Sequence, residues 1–157
     1  MQLRNAGRED LPALETLCRT SIGQIYGGIL PPDVLAQWIE GEILRETLEA
    51  QWPEMLVAEL EGRVVGVMRI EDGDRVDLLW VDPAEHRKGI GRALLHAAEE
   101  RIAVSHARAW LTVFRANSNA RGFYEHLGWR ETSRFQDDQG VDVIRMEKTL
   151  RPAGAEV

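Results

Sequence analysis

Gly89 and Gly91 stand one residue apart among the cations Arg87, Lys88 and Arg92. That combination of residue types suits the holding of a phosphate. A glycine has no Cβ, so the backbone can take positive φ and come close to a ligand. If a helix begins at these residues, its first turn offers backbone N–H groups with no intrahelical acceptor, and the helix dipole adds partial positive charge at the same end. Arg87, Lys88 and Arg92 add attraction for a polyanion at longer range. A tight turn with a solvated basic rim has the same composition, so the flanking elements decide between the two readings.

Those elements favour the anion site. Leu78-Leu79-Trp80-Val81 reads as a buried strand that stops at Pro83, and Ile90, Ala93, Leu94, Ala97, Ala98 and Ile102 recur at helical spacing after the glycines. Two familiar phosphate motifs fail here. A Walker loop needs Lys followed by Ser or Thr, whereas Gly91 is followed by Arg92-Ala93. A dinucleotide fingerprint needs a third small residue where this chain has Leu94, and an acid about 20 residues on, where Leu111 to Phe114 supplies none. The expected ligand is another kind of phosphate carrier.

Other reactive residue types are sparse. Cys18 has no partner for an internal disulfide and falls on an apolar helical pattern, which suits a buried thiol better than a nucleophile. His86, His96, His106 and His126 have unrelated spacings and make no metal pattern. Asn117 and Ser118 suit a helix cap, Phe123 and Leu127 share a helical face, and Tyr124 taken alone reads as a packed aromatic.

At 157 residues the chain is expected to form one domain, residues 1–151, followed by a loose tail from Pro152 to Val157. A formal charge of -7 argues against general nucleic-acid binding, since phosphate backbones select basic faces. No apolar run reaches membrane-spanning length, and Met1-Gln2-Leu3-Arg4-Asn5 is no signal peptide, so no membrane association and a cytoplasmic location are expected.

In chain order, a short strand over Gln2 to Asn5 precedes a helix that Asp10 can cap, with Leu14, Leu17, Cys18 and Ile22 on its buried face and Gly23 and Gly27-Gly28 as breaks. Helical patterns follow from Pro32 and through Ile43 to Leu48. From Met55 the period shortens, and strands over Met55 to Leu60, Val64 to Ile70 and Val76 to Val81 form an antiparallel meander. The helix after Gly91 and a strand over Ala109 to Phe114 complete a right-handed crossover whose two strands are parallel. The glycine turn then lies at the C-terminal edge of a strand, a common ligand position in open α/β sheets. A helix near Asn117 and a closing hairpin, Arg130 to Phe135 with Val141 to Met146, end the series. The fold class is α/β (α+β), a central mixed sheet flanked by helices.

Val81 to Leu95 together with Asn117 to Trp129 resembles the two signature segments of the GCN5-related N-acetyltransferase (GNAT) family, which binds acetyl-coenzyme A. The first segment reads His86-Arg87-Lys88-Gly89-Ile90-Gly91, and the second carries Asn117, Ala120, Tyr124 and Gly128-Trp129. The family usually has Gln or Arg where this chain has His86, which shortens a side chain that reaches phosphate.

The resemblance implies roles. Amides from Arg87 to Arg92 would hold the coenzyme A pyrophosphate, and the backbone of Leu79 and Val81 would pair with the pantetheine arm, with Val81 N–H aimed at the thioester oxygen. Asn117, Ala120 and Phe123 would line the same arm. Tyr124 would give the departing sulfur a proton or a hydrogen bond. Asp77 would deprotonate the amine, directly or through water, with Glu59 as a fallback. The acceptor side would be built from about Ile22 to Trp38 and Arg134 to Val141, where Asp137 and Asp138 are placed to attract a cationic amine. The implied activity is acetyl transfer to a small-molecule or protein amine by a monomer or homodimer, without a metal. A coenzyme A-binding module without catalysis is the alternative.

Overall fold

The meander from Met55 forms as its alternation predicts. In the computed structural model, which describes residues 1–150, β2 (Met55–Leu60), β3 (Arg63–Glu71) and β4 (Arg75–Val81) pair antiparallel in sequence order. The β2–β3 connection has just Glu61 and Gly62 between the strands, both at positive φ, the geometry that lets a two-residue turn follow the strand twist. Short β1 (Gln2–Asn5) adds to β2. The expected loose tail from Pro152 to Val157 lies outside the described residues.

Helix α4 (Ile90–Ala103) carries the chain across the sheet to β5 (Arg108–Phe114), which lies parallel to β4. The closing hairpin, β6 (Arg130–Gln136) and β7 (Asp142–Thr149), inserts β7 beside β5 and leaves β6 at the edge. The result is a seven-stranded sheet in the order β1-β2-β3-β4-β5-β7-β6.

Two apolar layers cover the sheet. On one face α4 and α5 (Ser118–His126) pack through Leu94, Leu95 and Ile102 on Leu111, Trp129, Ile144 and Met146. On the other, α1 (Leu11–Tyr26), α2 (Pro32–Glu40) and α3 (Ile43–Gln51) pack through Leu14, Leu17, Cys18, Leu44 and Leu48 on Val57 and Val67. Each fully buried leucine contributes roughly 1.5–3 kcal/mol relative to exposure. Helix α4 approaches β3 so closely that a Cβ on Gly66 would lie 2.9 Å from Leu94 Cδ1 and 3.1 Å from Ile90 Cγ2.

Two local expectations change. Helix α1 runs through Gly23 and ends only before Gly27-Gly28. A glycine inside a helix costs about 1 kcal/mol, which burial of Leu17, Cys18 and Ile22 outweighs. The Asp10 side chain does not cap α1; its carboxylate accepts from Arg4 Nη1 and Nη2, at 2.8 and 2.9 Å, and from the Gly7 N–H at 2.7 Å. Among the described residues, no helix is long and apolar enough to cross a membrane.

Candidate acetyl-coenzyme A site

β4 and β5 stay together only at their starts. Their register pairs Arg75 with Trp110 alone, and Asp74 O accepts the Trp110 N–H at 3.1 Å. Further along, β4 keeps its pairing with β3 up to Val81, but gains no partner from β5. The β5-facing edge of Leu79 and Val81 is therefore available for added backbone pairing at the C-terminal ends of the strands.

Tyr26, the last residue of α1, stands where the strands part. Its ring meets Trp80 of β4 edge-on at 5.3 Å and Phe114 of β5 edge-on at 4.9 Å. Burial pushes the Tyr26 phenol above its usual range. Nothing in the spacing around Tyr26 signals this position, because its partners come from two distant strands.

The glycine turn closes the end of the gap. Asp82 Oδ1 accepts the Ala84 N–H at 3.0 Å and starts a single 3-10 turn over Pro83–Glu85. The backbone then passes through Arg87 at φ 68° and Gly89 at φ 79° into α4. Gly89 is the N-cap, so the amides that follow point out of the helix start. Arg87, Lys88 and Arg92 are exposed around them. Buried Glu85 steadies the turn by accepting from Lys88 and, at 3.2 Å, from Arg63; these cations hold its carboxyl below the usual range. Glu85 was not singled out from the sequence, although Lys88 three residues later is a recognisable ion-pair spacing.

His86 departs from the phosphate-reaching role of the usual Gln or Arg. Its Nε2 folds back and donates to Val81 O at 3.1 Å, tying the turn to the end of β4. Gly91 brings the remaining elements together. A Cβ there would stand 3.5 Å from Val81 Cγ2 and 3.4 Å from Phe123 Cζ, so strand end, α4 and α5 converge on a residue without a side chain. Ile90 is buried beneath them.

Helix α5 supplies the rest. Asn117 Oδ1 accepts the Ala120 N–H at 3.3 Å, so Asn117 acts as its cap. Ala120, Phe123 and Tyr124 pack against the α4-side core. The Tyr124 ring lies edge-on to Phe123 at 5.3 Å and 6.0 Å from Trp129. Burial, and secondarily the nearby Tyr26 phenol, push the Tyr124 phenol above its usual range, so it keeps its proton well into alkaline pH.

The acids separate. Asp77 is the extra residue at the bulge where the β3–β4 register shifts, and its carboxylate faces buried Arg69, which also reaches Glu54 at 3.3 Å. Four residues of strand place Asp77 about 13 Å from Val81, a span that calls for water in any proton path. The Glu71 carboxyl lies close to Asp77 and is raised by that charge first and by burial second. Glu59 lies on β2, away from this gap, paired with Arg4 at 3.2 Å. Asp137 is committed to its own turn, accepting from Gln139 N–H at 2.9 Å and Val141 N–H at 3.0 Å, whereas Asp138 is exposed. The Cys18 thiol is buried in the other core layer, where burial pushes it up to about 12. Among the described residues there is no metal-holding group of three or more His, Cys, Asp and Glu side chains.

The acetyltransferase (GNAT) domain family matches residues 21–150, and the chain belongs to that family. Solved relatives reproduce its whole architecture. The PaiA N-acetyltransferase of Thermoplasma acidophilum, determined in complex with coenzyme A, is 24% identical, with a TM-score of 0.79 over 94% of this chain and 98% of that one. A GCN5-related N-acetyltransferase structure from Rhodopseudomonas palustris has a TM-score of 0.82 at 21% identity, covering 94% of each chain. In sequence, the chain is 32% identical over 73 residues to the peptidyl-lysine N-acetyltransferase YiaC of Escherichia coli. That match spans about half of each protein, 46% of this chain and 47% of the relative.

Proposed function

We propose that the protein, acting as one domain over residues 1–151, transfers an acetyl group from acetyl-coenzyme A to a primary amine of a small molecule or protein, by direct attack in a ternary complex. The observation that carries this reading is the parting of β4 and β5 beyond Arg75 and Trp110, with the glycine turn at its mouth. The donor set fits the cosubstrate: free amides and exposed cations for a pyrophosphate, an unpaired strand edge for an amide-bearing arm, and a buried phenol at the inner end. Membership of the family and the similarity to YiaC support the same chemistry.

Acetyl-coenzyme A supplies the activated acetyl group. The Arg87 to Arg92 backbone holds the pyrophosphate, with His86 bracing the turn and Ile90 and Gly91 shaping its base. Leu79 and Val81 align the pantetheine arm against Ala120 and Phe123, with Asn117 fixing the start of α5. The Val81 N–H stabilises charge that develops on the thioester oxygen. The neutral amine forms a bond to the carbonyl carbon as the carbon–sulfur bond breaks. Asp77, through water, takes the proton lost by the amine, and Tyr124 gives a proton to the departing sulfur. The reading places the protein in the cytoplasm, as a monomer or homodimer without a nucleic-acid partner. An acceptor screen that reads free thiol release from acetyl-coenzyme A tests it; amine-dependent release is expected, and hydrolysis alone across the panel removes the enzymatic claim.

A further inference from the structure

A cleft of about 680 Å³ opens between the loop after α1 and the β6–β7 hairpin, beyond the end of β5. Its apolar wall includes Ile29, Leu30 and Val141, and its charged wall is formed by Arg115, Arg121 and Asp142. The cleft adjoins the reaction end of the proposed site through two short chain connections. Arg115 directly follows Phe114, which touches Tyr26, and Arg121 precedes Tyr124 by three residues on α5. Side chains three apart on a helix are neighbours, with Cβ atoms about 5–6 Å apart. A group held by Arg121 is therefore anchored about one helical turn from the proposed proton donor.

The charge in the cleft is unbalanced. Arg121 Nη1 donates to Arg115 O at 2.9 Å, which fixes one guanidinium beside the other residue, while Arg121 Nε is buried with no acceptor among the described residues. The nearest acid oxygen to Arg115 is Asp142 Oδ2, at 3.9 Å, beyond hydrogen-bond range. Arg115 and Arg121 thus have only a loose ion pair to Asp142 in the cleft wall, while the neighbouring Glu131 carboxylate, which also feels both cations, is hydrogen-bonded to Arg134. By contrast, Arg4, Arg69 and Arg134 each have a hydrogen-bonded acid. We propose that the amine acceptor carries a carboxylate, which docks on Arg115 and Arg121 while its amine faces Tyr124 and the apolar wall receives its side chain. The guanidinium fork matches a carboxylate in shape and charge. This inference rests on the acetyltransferase reading above.

Thiol release from acetyl-coenzyme A, measured with the standard amino acids and their carboxamides, tests the proposal in wild-type, Arg115→Gln and Arg121→Gln protein. The expected kcat/KM is at least about tenfold higher for acids than for the matching amides in the wild type, a ratio that falls towards unity in both variants with acetyl-coenzyme A affinity unchanged. Equal use of acids and amides by the wild type, or a preference that survives both substitutions, overturns the proposal. Arg115 is exposed, so its variant remains informative if Arg121→Gln fails to fold. Titration of N-acetyl amino acids and N-acetyl amino amides into coenzyme A-saturated protein separates the two claims. Acid-selective binding without thiol release supports the carboxylate site and overturns the acetyltransferase reading, whereas release without acid selectivity does the reverse. Absence of both overturns the site.

Discussion

Asp77 Oδ2 accepts from Arg69 Nη1 at 2.5 Å at the bulge between β3 and β4. The pair is structural as well as part of the proposed proton path: Arg69 is buried and its other acid, Glu54, is exposed. Asp77→Asn is expected to lower stability by about 1–3 kcal/mol through loss of a charge-assisted hydrogen bond, and to reduce kcat/KM by roughly 10²-fold with loss of the acidic limb of the pH profile. Urea denaturation and a pH–rate profile read the two effects separately. An acidic limb retained in Asp77→Asn transfers the base to Glu71 or Glu59, and Glu71→Gln then distinguishes them.

The role proposed for Tyr124 has the opposite requirement: the phenol must keep its proton. Its surroundings raise the phenol, so it remains a donor at pH values where an exposed tyrosine would begin to ionise. Tyr124→Phe is expected to lower kcat by about 10²-fold while changing acetyl-coenzyme A affinity little. The alkaline side of the wild-type profile, up to about pH 10, should match that of the variant, because Tyr124 does not titrate there. An unchanged turnover at every pH removes the proton-donor role.

Much of the candidate site's framework was legible because its parts are local. Strand, glycine turn and helix start occupy consecutive residues from Leu78 to Arg92, and Asn117 to Trp129 carries its own cap and stop. Strand periodicity likewise revealed the meander and the crossover. The parting of β4 and β5 was not visible, since it depends on where pairing stops between strands separated by a helix. The position of Tyr26 was hidden for the same reason: it follows from contact with Trp80 and Phe114, not from neighbours in sequence. Charge spacing exposed neither the Arg69–Asp77 pair nor the commitment of Asp137 to its turn, because both depend on hairpin register and loop geometry.

Gly89 is the position at which the turn needs glycine. At φ 79°, a Cβ would meet no atom within 4 Å, so the penalty for Gly89→Ala is conformational and not a clash. A left-handed residue with a side chain costs about 1–2 kcal/mol. If the turn keeps its shape, that cost appears as lost stability; if it relaxes, the amides leave the pyrophosphate and affinity falls by about 5–30-fold. Relaxation is the expected outcome, because Gly89 is exposed and the contacts that brace the turn are made by Asp82, Glu85 and His86, before the glycine itself. Calorimetric titration of acetyl-coenzyme A, with urea unfolding in parallel, measures the division; unchanged values in both would remove the need for glycine there.

Asp10 governs a pH dependence far from the glycine turn. The Arg4 guanidinium first, and the Gly7 N–H with it, hold the Asp10 carboxyl below its ordinary 3.8, against the opposing effect of burial. A carboxyl lowered in the folded state binds fewer protons there than in the unfolded chain. Its stabilisation is therefore present above the ordinary value and is lost as pH falls through the lowered one. Asp10→Asn is expected to cost about 1–3 kcal/mol at neutral pH, since it leaves Arg4 with Glu59 alone and weakens the acceptor for Gly7. The gap between variant and wild type should narrow as the pH is lowered below 3.8, where the unfolded chain takes up the proton before the folded one, and should close once the pH passes below the lowered folded value. Urea midpoints followed across that range test the assignment. A gap that stays constant on acidification would mean that packing around Asp10, and not its charge, stabilises the first turn of the chain.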